Sequence, residues 1–112
     1  MTAQIEQFQD IRLEESGAVA KITMHRPKVL NALSPRMVLE LKSAAEIVSR
    51  RNDLRVLILT GAGRSFSAGV DLKEMNKSIQ DGQFTADDIM REGVDFIELI
   101  ETMPQVTIAM IN

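Results

Sequence analysis

At 112 residues, with 45% apolar and 26% charged side chains, the sequence has the composition of one ordinary folded domain and not of a disordered or fibrous chain. A formal charge of -3 argues against a surface built for nucleic acid or an anionic membrane, which needs clustered Lys and Arg. Cysteine is absent and histidine occurs once, which excludes disulfides, thiol nucleophiles, thiolate metal sites and a multi-histidine metal centre.

The first ten residues, MTAQIEQFQD, are polar and acidic, unlike the basic start and apolar run of a secretory signal or the basic composition of a transit peptide. No stretch approaches the roughly 18 apolar residues of a membrane span. A cytoplasmic location fits, and so does an organelle matrix. Residues 11–15 and 18–24 are short β-type runs linked by Ser16 and Gly17, and a glycine free to take positive φ predicts a hairpin. His25, Arg26 and Pro27 end the second strand, because proline donates nothing to a ladder and restricts the residue before it.

From Ser34 the apolar period lengthens. Ser34 can cap, Pro35 suits the first helical position, and Met37, Leu41, Ala44, Ala45 and Val48 form a stripe, predicting a helix to about Arg51 with Arg50 and Arg51 at its C-terminal dipole. Residues 55–60, RVLILT, form a continuous apolar run, the pattern of a strand covered on both faces. Strand, helix and strand then predict a right-handed parallel crossover. Residues 61–69 read as a loop at the C-terminal end of that strand, where open α/β sheets bind ligands. Asp71 with Glu74 resembles a capping pair for a short helix through Met75, residues 76–84 read as mobile, and Thr85 with Asp88 announces another helix. Its stripe is Ile89, Phe96, Ile97, Ile100 and Met103, and Pro104 stops it. Residues 106–111, VTIAMI, form a second buried-type strand; a central strand ending there leaves an open edge, so the chain reads as part of a longer protein.

The loop carries the chemistry. An enolate formed beside a thioester carbonyl, or the tetrahedral species of acyl transfer, places negative charge on one oxygen, and main-chain N–H groups held at that oxygen stabilise it without reorganising. So close an approach of main chain to ligand needs small residues and permissive dihedrals, which Ser67, Ala68 and Gly69 supply, leaving the N–H of Val70 to be presented. The string GAGRSFSAG lacks the Lys and Ser/Thr of a phosphate-binding P-loop, its glycines miss the dinucleotide spacing, and SFSAG is not the GxSxG of a nucleophilic serine. By composition alone an ordinary turn is the more frequent explanation of such a loop.

Read with its flanks, the string resembles a known family. HRPKVLNALS (25–34), LRVLILTGAGRSFSAGVDLKEM (54–75) and PQVTIAMIN (104–112) are similar, in order, to the first half of the enoyl-CoA hydratase/isomerase, or crotonase, family. The resemblance runs from about Ile11 to Asn112. It implies an α/β crotonase-like spiral of repeated ββα units, of which residues 1–112 are an N-terminal part incomplete at its C-terminus. It also implies an acyl-CoA substrate, homotrimers or hexamers, and hydration or double-bond isomerisation of an enoyl-CoA through a thioester enolate. No metal and no cofactor are implied, coenzyme A being part of the substrate. Residue by residue, the resemblance makes the Val70 N–H one of two oxyanion donors, lays Lys28, Val29 and Leu30 along the CoA moiety, and makes Ala68, Asp71, Leu72 and Lys73 a second contact strip. The second donor and the acid/base residues belong to segments after Asn112, so these residues alone are expected to be inactive. The alternative is a non-catalytic, crotonase-derived binding or assembly module.

Several side chains carry a simpler reading beside the functional one. Asp71 reads as a helix cap before a catalytic carboxylate, and Glu74, Asp81, Asp87 and Asp88 as first-turn or solvated acids. His25 at a strand end reads as exposed or hydrogen-bonded. Arg26 and Lys28 are either CoA-phosphate ligands or plain surface charge. Met75, Met90 and Met103 either line an acyl pocket or pack in the core.

Overall fold

The computed structural model describes residues 2–112. Five strands, β1 (Ala3–Gln7), β2 (Ile11–Ser16), β3 (Val19–Met24), β4 (Val56–Gly61) and β5 (Val106–Met110), form one sheet in sequence order. β1, β2 and β3 are antiparallel neighbours, whereas β3, β4 and β5 run parallel. The helices α1 (Pro35–Ser49), α2 (Leu72–Gln80) and α3 (Ala86–Thr102) lie in the two crossovers.

The β2–β3 hairpin forms as its sequence predicts, with Gly17 at φ 59° in the link and Ser16 opposite Val19. Alternation then sends Ile11 and Leu13 of β2, and Ala20, Ile22 and Met24 of β3, to one buried face. The stripe of α1 covers that face: Met37, Leu41, Ala44, Ala45 and Val48 are all buried. Fully burying a side chain such as Ile22 or Leu13 stabilises by about 1.5–3 kcal/mol, so this layer is the main source of cohesion. Ser34 caps α1 by accepting the Met37 N–H at 3.1 Å, with Pro35 in the first turn.

The structure departs from the sequence expectations at several places; Ile97 of the expected α3 stripe is exposed, and Val56 and Ile58 leave one face of β4 only half-buried. β1 was not expected, since AQIEQ lacks a strand-like apolar set; it exists because β2 offers an edge to pair with, and only its Ile5 packs against the core. α1 stops at Ser49, and Arg51 serves the turn instead of the helix dipole, binding Glu15 at 2.7 Å and Asp53 at 2.6 Å. The segment read as mobile is helical as far as Gln80, because α2 continues past Met75 and buries Ser78. β5 pairs in parallel with β4 as expected, yet all of its side chains are exposed, against the expectation of a buried strand.

Gln105, unremarked in the sequence, joins the layers. Its Nε2 lies 2.8 Å from the Val48 carbonyl, 3.1 Å from Arg51 O and 3.2 Å from Leu54 O, so a buried amide closes the C-terminal end of α1. α3 carries the predicted capping box of Thr85 and Asp88, and packs on α1 through Phe96 and the Lys42–Glu92 pair at 2.9 Å. Among the described residues no helix is long and apolar enough to cross a membrane.

Candidate functional site

Three segments meet at the C-terminal ends of the parallel strands: 25–34 after β3, 62–71 after β4, and Asn112 after β5. The first begins with a 3-10 turn at Pro27–Val29 and then places Leu30 and Asn31 in the left-handed region, at φ 54° and 55°. Asparagine tolerates that conformation and leucine resists it. Leu30 is held there from both sides, its N–H donating to Pro27 O at 3.2 Å and its carbonyl accepting the Ala68 N–H at 2.9 Å. Two successive strained residues at a strand end mark a segment whose shape the surroundings impose.

Asn31 is fully buried and uses its whole amide. Oδ1 accepts the Arg26 N–H at 2.8 Å, while Nδ2 donates to Ala62 O at 3.0 Å and Ser65 O at 2.8 Å. Gly61 permits this convergence: a Cβ there would overlap the carbonyl oxygens of Phe66 and Ser65 and come within 2.8 Å of Asn31 Nδ2. From β5, Asn112 Nδ2 reaches Gly61 O at 2.9 Å and Gly63 O at 2.7 Å.

The loop then runs beside the first segment. Ser67 Oγ donates to Asn31 O at 2.9 Å and accepts the Gly69 N–H at 3.1 Å. The Leu33 N–H donates to Gly69 O at 2.7 Å, and the Asp71 N–H donates to Leu33 O at 3.0 Å, making a parallel bridge centred on Leu33 and Val70. In such a bridge the central residue's own N–H points away from its partner. Among the described residues the Val70 N–H meets no acceptor, while its neighbours on both sides are locked.

The strips inferred from the resemblance are therefore in register with each other: Leu30 pairs with Ala68, and Leu33 with residues 69 and 71. Lys28, Val29, Ala68, Leu72 and Lys73 are exposed along this edge, Leu30 is half-buried, and the Val70 side chain is 57% exposed. Arg26 is tied to the fold through one guanidinium nitrogen. Its Nη1 donates to Ala32 O at 2.6 Å and to Asp71 Oδ2 at 3.1 Å. Asp71 is the cap of α2, accepting the Glu74 N–H at 3.1 Å; that bond, with Arg26 adding to it, holds the carboxyl below its usual range despite partial burial. His25 is exposed, with its main-chain N–H bonded to Asp10 O at 2.8 Å.

On the inner side of the loop lies an apolar cavity of about 770 Å³, lined by Leu33, Phe66 and Ser67 and by Met90, Val94 and Ile97 of α3. Met90 borders this cavity, Met103 is buried in the core, and Met75 is half-buried elsewhere. Among the described residues no cluster of His, Asp and Glu is arranged to hold a metal ion. Sequence reasoning missed Asn31, Asn112 and Gly61; the only signal was an asparagine inside the apolar run KVLNAL and another at the end of VTIAMIN.

A mixed α/β sheet whose loops gather at the C-terminal ends of three parallel strands defines the class of architecture. The sequence profile of the enoyl-CoA hydratase/isomerase family matches residues 14–112, and the chain belongs to that family. Among solved structures it is similar to an enoyl-CoA hydratase/carnithine racemase from Magnetospirillum magneticum, with 30% identity and a TM-score of 0.82, covering 94% of this chain and 39% of that one. It is 36% identical over 84 residues to the mitochondrial 3-hydroxyisobutyryl-CoA hydrolase of Rattus norvegicus, covering 74% of this chain and 22% of that protein. With the hydroxycinnamoyl-CoA hydratase-lyase of Pseudomonas fluorescens it shares 31% identity over 107 residues, 94% of this chain and 39% of that protein. The fold is thus crotonase-like, and the chain spans well under half the length of these relatives.

Proposed function

We propose that this chain supplies the CoA-binding edge and one of two oxyanion donors of an enzyme that stabilises a thioester enolate, hydrating an enoyl-CoA or shifting its double bond. The observation that carries the reading is the Val70 N–H, unpaired between two neighbours that Leu33 holds in place. In hydration, an oxygen adds at Cβ and the π electrons move onto the thioester oxygen; in isomerisation, a proton leaves Cα and the same oxygen takes the charge. Either way a pre-positioned N–H meets charge only as it develops, which is what lowers a barrier.

The acyl chain enters the cavity beside Leu33 and Ser67, and Lys28, Val29, Leu30, Ala68, Asp71, Leu72 and Lys73 meet the CoA moiety. Asp71 contributes by capping α2 and anchoring Arg26, not by moving protons. In this reading the second donor and the proton-transfer groups lie outside residues 1–112, no cofactor is needed beyond the CoA of the substrate, and the enzyme works as a homotrimer or hexamer in the cytoplasm or an organelle matrix. Three relatives whose names carry different reactions support the thioester as the common element.

The test uses full-length protein with crotonyl-CoA and a 3-enoyl-CoA. Val70→Pro deletes the donor and lowers turnover roughly 100- to 1000-fold. Val70→Ala keeps the N–H and stays within about twofold, as an exposed side chain predicts. Unchanged turnover in the proline variant overturns the proposal, and CoA binding without turnover in the wild type favours the non-catalytic module.

A further inference from the structure

The carbonyls of the loop after β4 converge inward. Four of five successive residues, Gly61, Ala62, Gly63 and Ser65, point a main-chain oxygen at a side-chain amide, and both amides are asparagines from neighbouring strand ends. Asn31 takes Ala62 O and Ser65 O; Asn112 takes Gly61 O and Gly63 O and approaches the same Ser65 O at 3.4 Å. Left to itself, a turn with converging carbonyls opens, because aligned oxygen dipoles repel and buried acceptors need donors. We propose that Asn31 and Asn112 are positioning residues that clamp this loop from both sides and thereby set where the Val70 N–H stands.

The link to Val70 is continuous. Ser65 is held by the two amides, Ser67 by Asn31 O, Ala68 by Leu30 O, and Gly69 by Ser67 Oγ and Leu33, so every residue from 67 to 69 has a polar anchor. Val70 carries the first main-chain donor after them without a partner. A donor works only if it stands where the charge appears, and a displacement of about 1 Å costs roughly 100-fold in rate. Asn31 also fixes the first segment through the Arg26 N–H, so one buried side chain relates the CoA-facing edge to the donor loop. Asn112 adds the third strand end, reinforced where Thr60 Oγ1 donates to Met110 O at 2.8 Å.

This inference rests on the donor role proposed for Val70, and two variants separate the two ideas. Asn31→Asp keeps the acceptor for the Arg26 N–H but turns a carboxylate toward two carbonyls that need donors. Asn112→Ala removes the second amide and with it the donors to Gly61 O and Gly63 O. In full-length protein, kcat on crotonyl-CoA falls roughly 100-fold in Asn31→Asp and about tenfold in Asn112→Ala, with Kd for free CoA within about threefold of wild type. Both variants retaining wild-type kcat, while Val70→Pro is inactive, overturns the clamp and spares the donor. Loss of kcat only in proportion to loss of folded protein overturns it as well.

A second readout needs no turnover. Hydrogen exchange at the Ala68 and Gly69 amides reports whether the loop stays docked, and about tenfold faster exchange in folded Asn112→Ala supports the clamp. Unchanged exchange there overturns it whether or not Asn31→Asp folds and whether or not Val70 proves to be a donor.

Discussion

The loops at the parallel strand ends and the exposed apolar surfaces of α3 and β5 are built on opposite principles. In the loops a network of hydrogen bonds ties the segments together, a fully buried asparagine spends its whole amide on main chain, and Leu30 and Asn31 are held at positive φ. By contrast, Met90, Val94 and Ile97 of α3 and, on the opposite side of the sheet, Val106, Ile108 and Met110 of β5 stand exposed. Hydrogen bonds fix direction, so the first region can hold a donor at a point. Apolar burial is non-directional, so the second can only offer area for something to cover.

The sharpest test of the contrast lies at Gly61. Gly61→Ala drives a Cβ into the Phe66 and Ser65 carbonyls, and urea unfolding is expected to show a loss of about 3 kcal/mol, the upper end for an overpacked site. A loss below about 0.5 kcal/mol, ordinary for a surface site, means the loop can move aside and is not over-determined.

At the junction of the two regions, Gln105→Ala strands the Val48 and Leu54 carbonyls and is expected to cost about 2 kcal/mol. A neutral result would assign those carbonyls to water.

Asp71→Ala removes a cap and an ion pair and costs about 1 kcal/mol. The pH dependence has a definite sign. The folded carboxyl titrates below the unfolded one, so the folded state binds fewer protons; the stabilisation is complete above about pH 4 and lost as pH falls through the folded pKa. The advantage of wild type over Asp71→Asn should therefore be present at neutral pH and fade in acid. An advantage that persists in acid contradicts the Arg26 and Glu74 contacts.

The smallest effect belongs to the open face. Ile97→Ser is expected to change stability by at most about 0.5 kcal/mol in residues 1–112 and to reduce binding of an apolar dye, since the side chain is 50% exposed. A loss above about 2 kcal/mol would mean this face is covered, as in a core.

Much of the architecture was legible because its signals are local. Ser16 and Gly17 sit between two alternating runs, Ser34 and Pro35 open an apolar stripe of helical period, and Thr85 and Asp88 close a capping box within four residues. The loop carrying Val70 was legible as a motif, through small residues after an apolar strand and through resemblance. Its geometry was not. Asn31 and Asn112 look like unremarkable polar residues until the chain folds, since the carbonyls their amides hold lie 31 to 51 residues away.

The sequence by itself determined the hairpin, the parallel crossover, the capped helices and the family, because turn residues, caps and periodicity act over a few positions and the motifs are strings. Only the tertiary structure decided that AQIEQ becomes a strand, that the residues after Met75 continue a helix, that VTIAMI lies uncovered, and that Arg26 pairs with Asp71. It also decided that the Val70 N–H is left free, for that depends on which way a main chain faces after Leu33 has claimed its neighbours, and pairing between distant segments is a property of the packed chain.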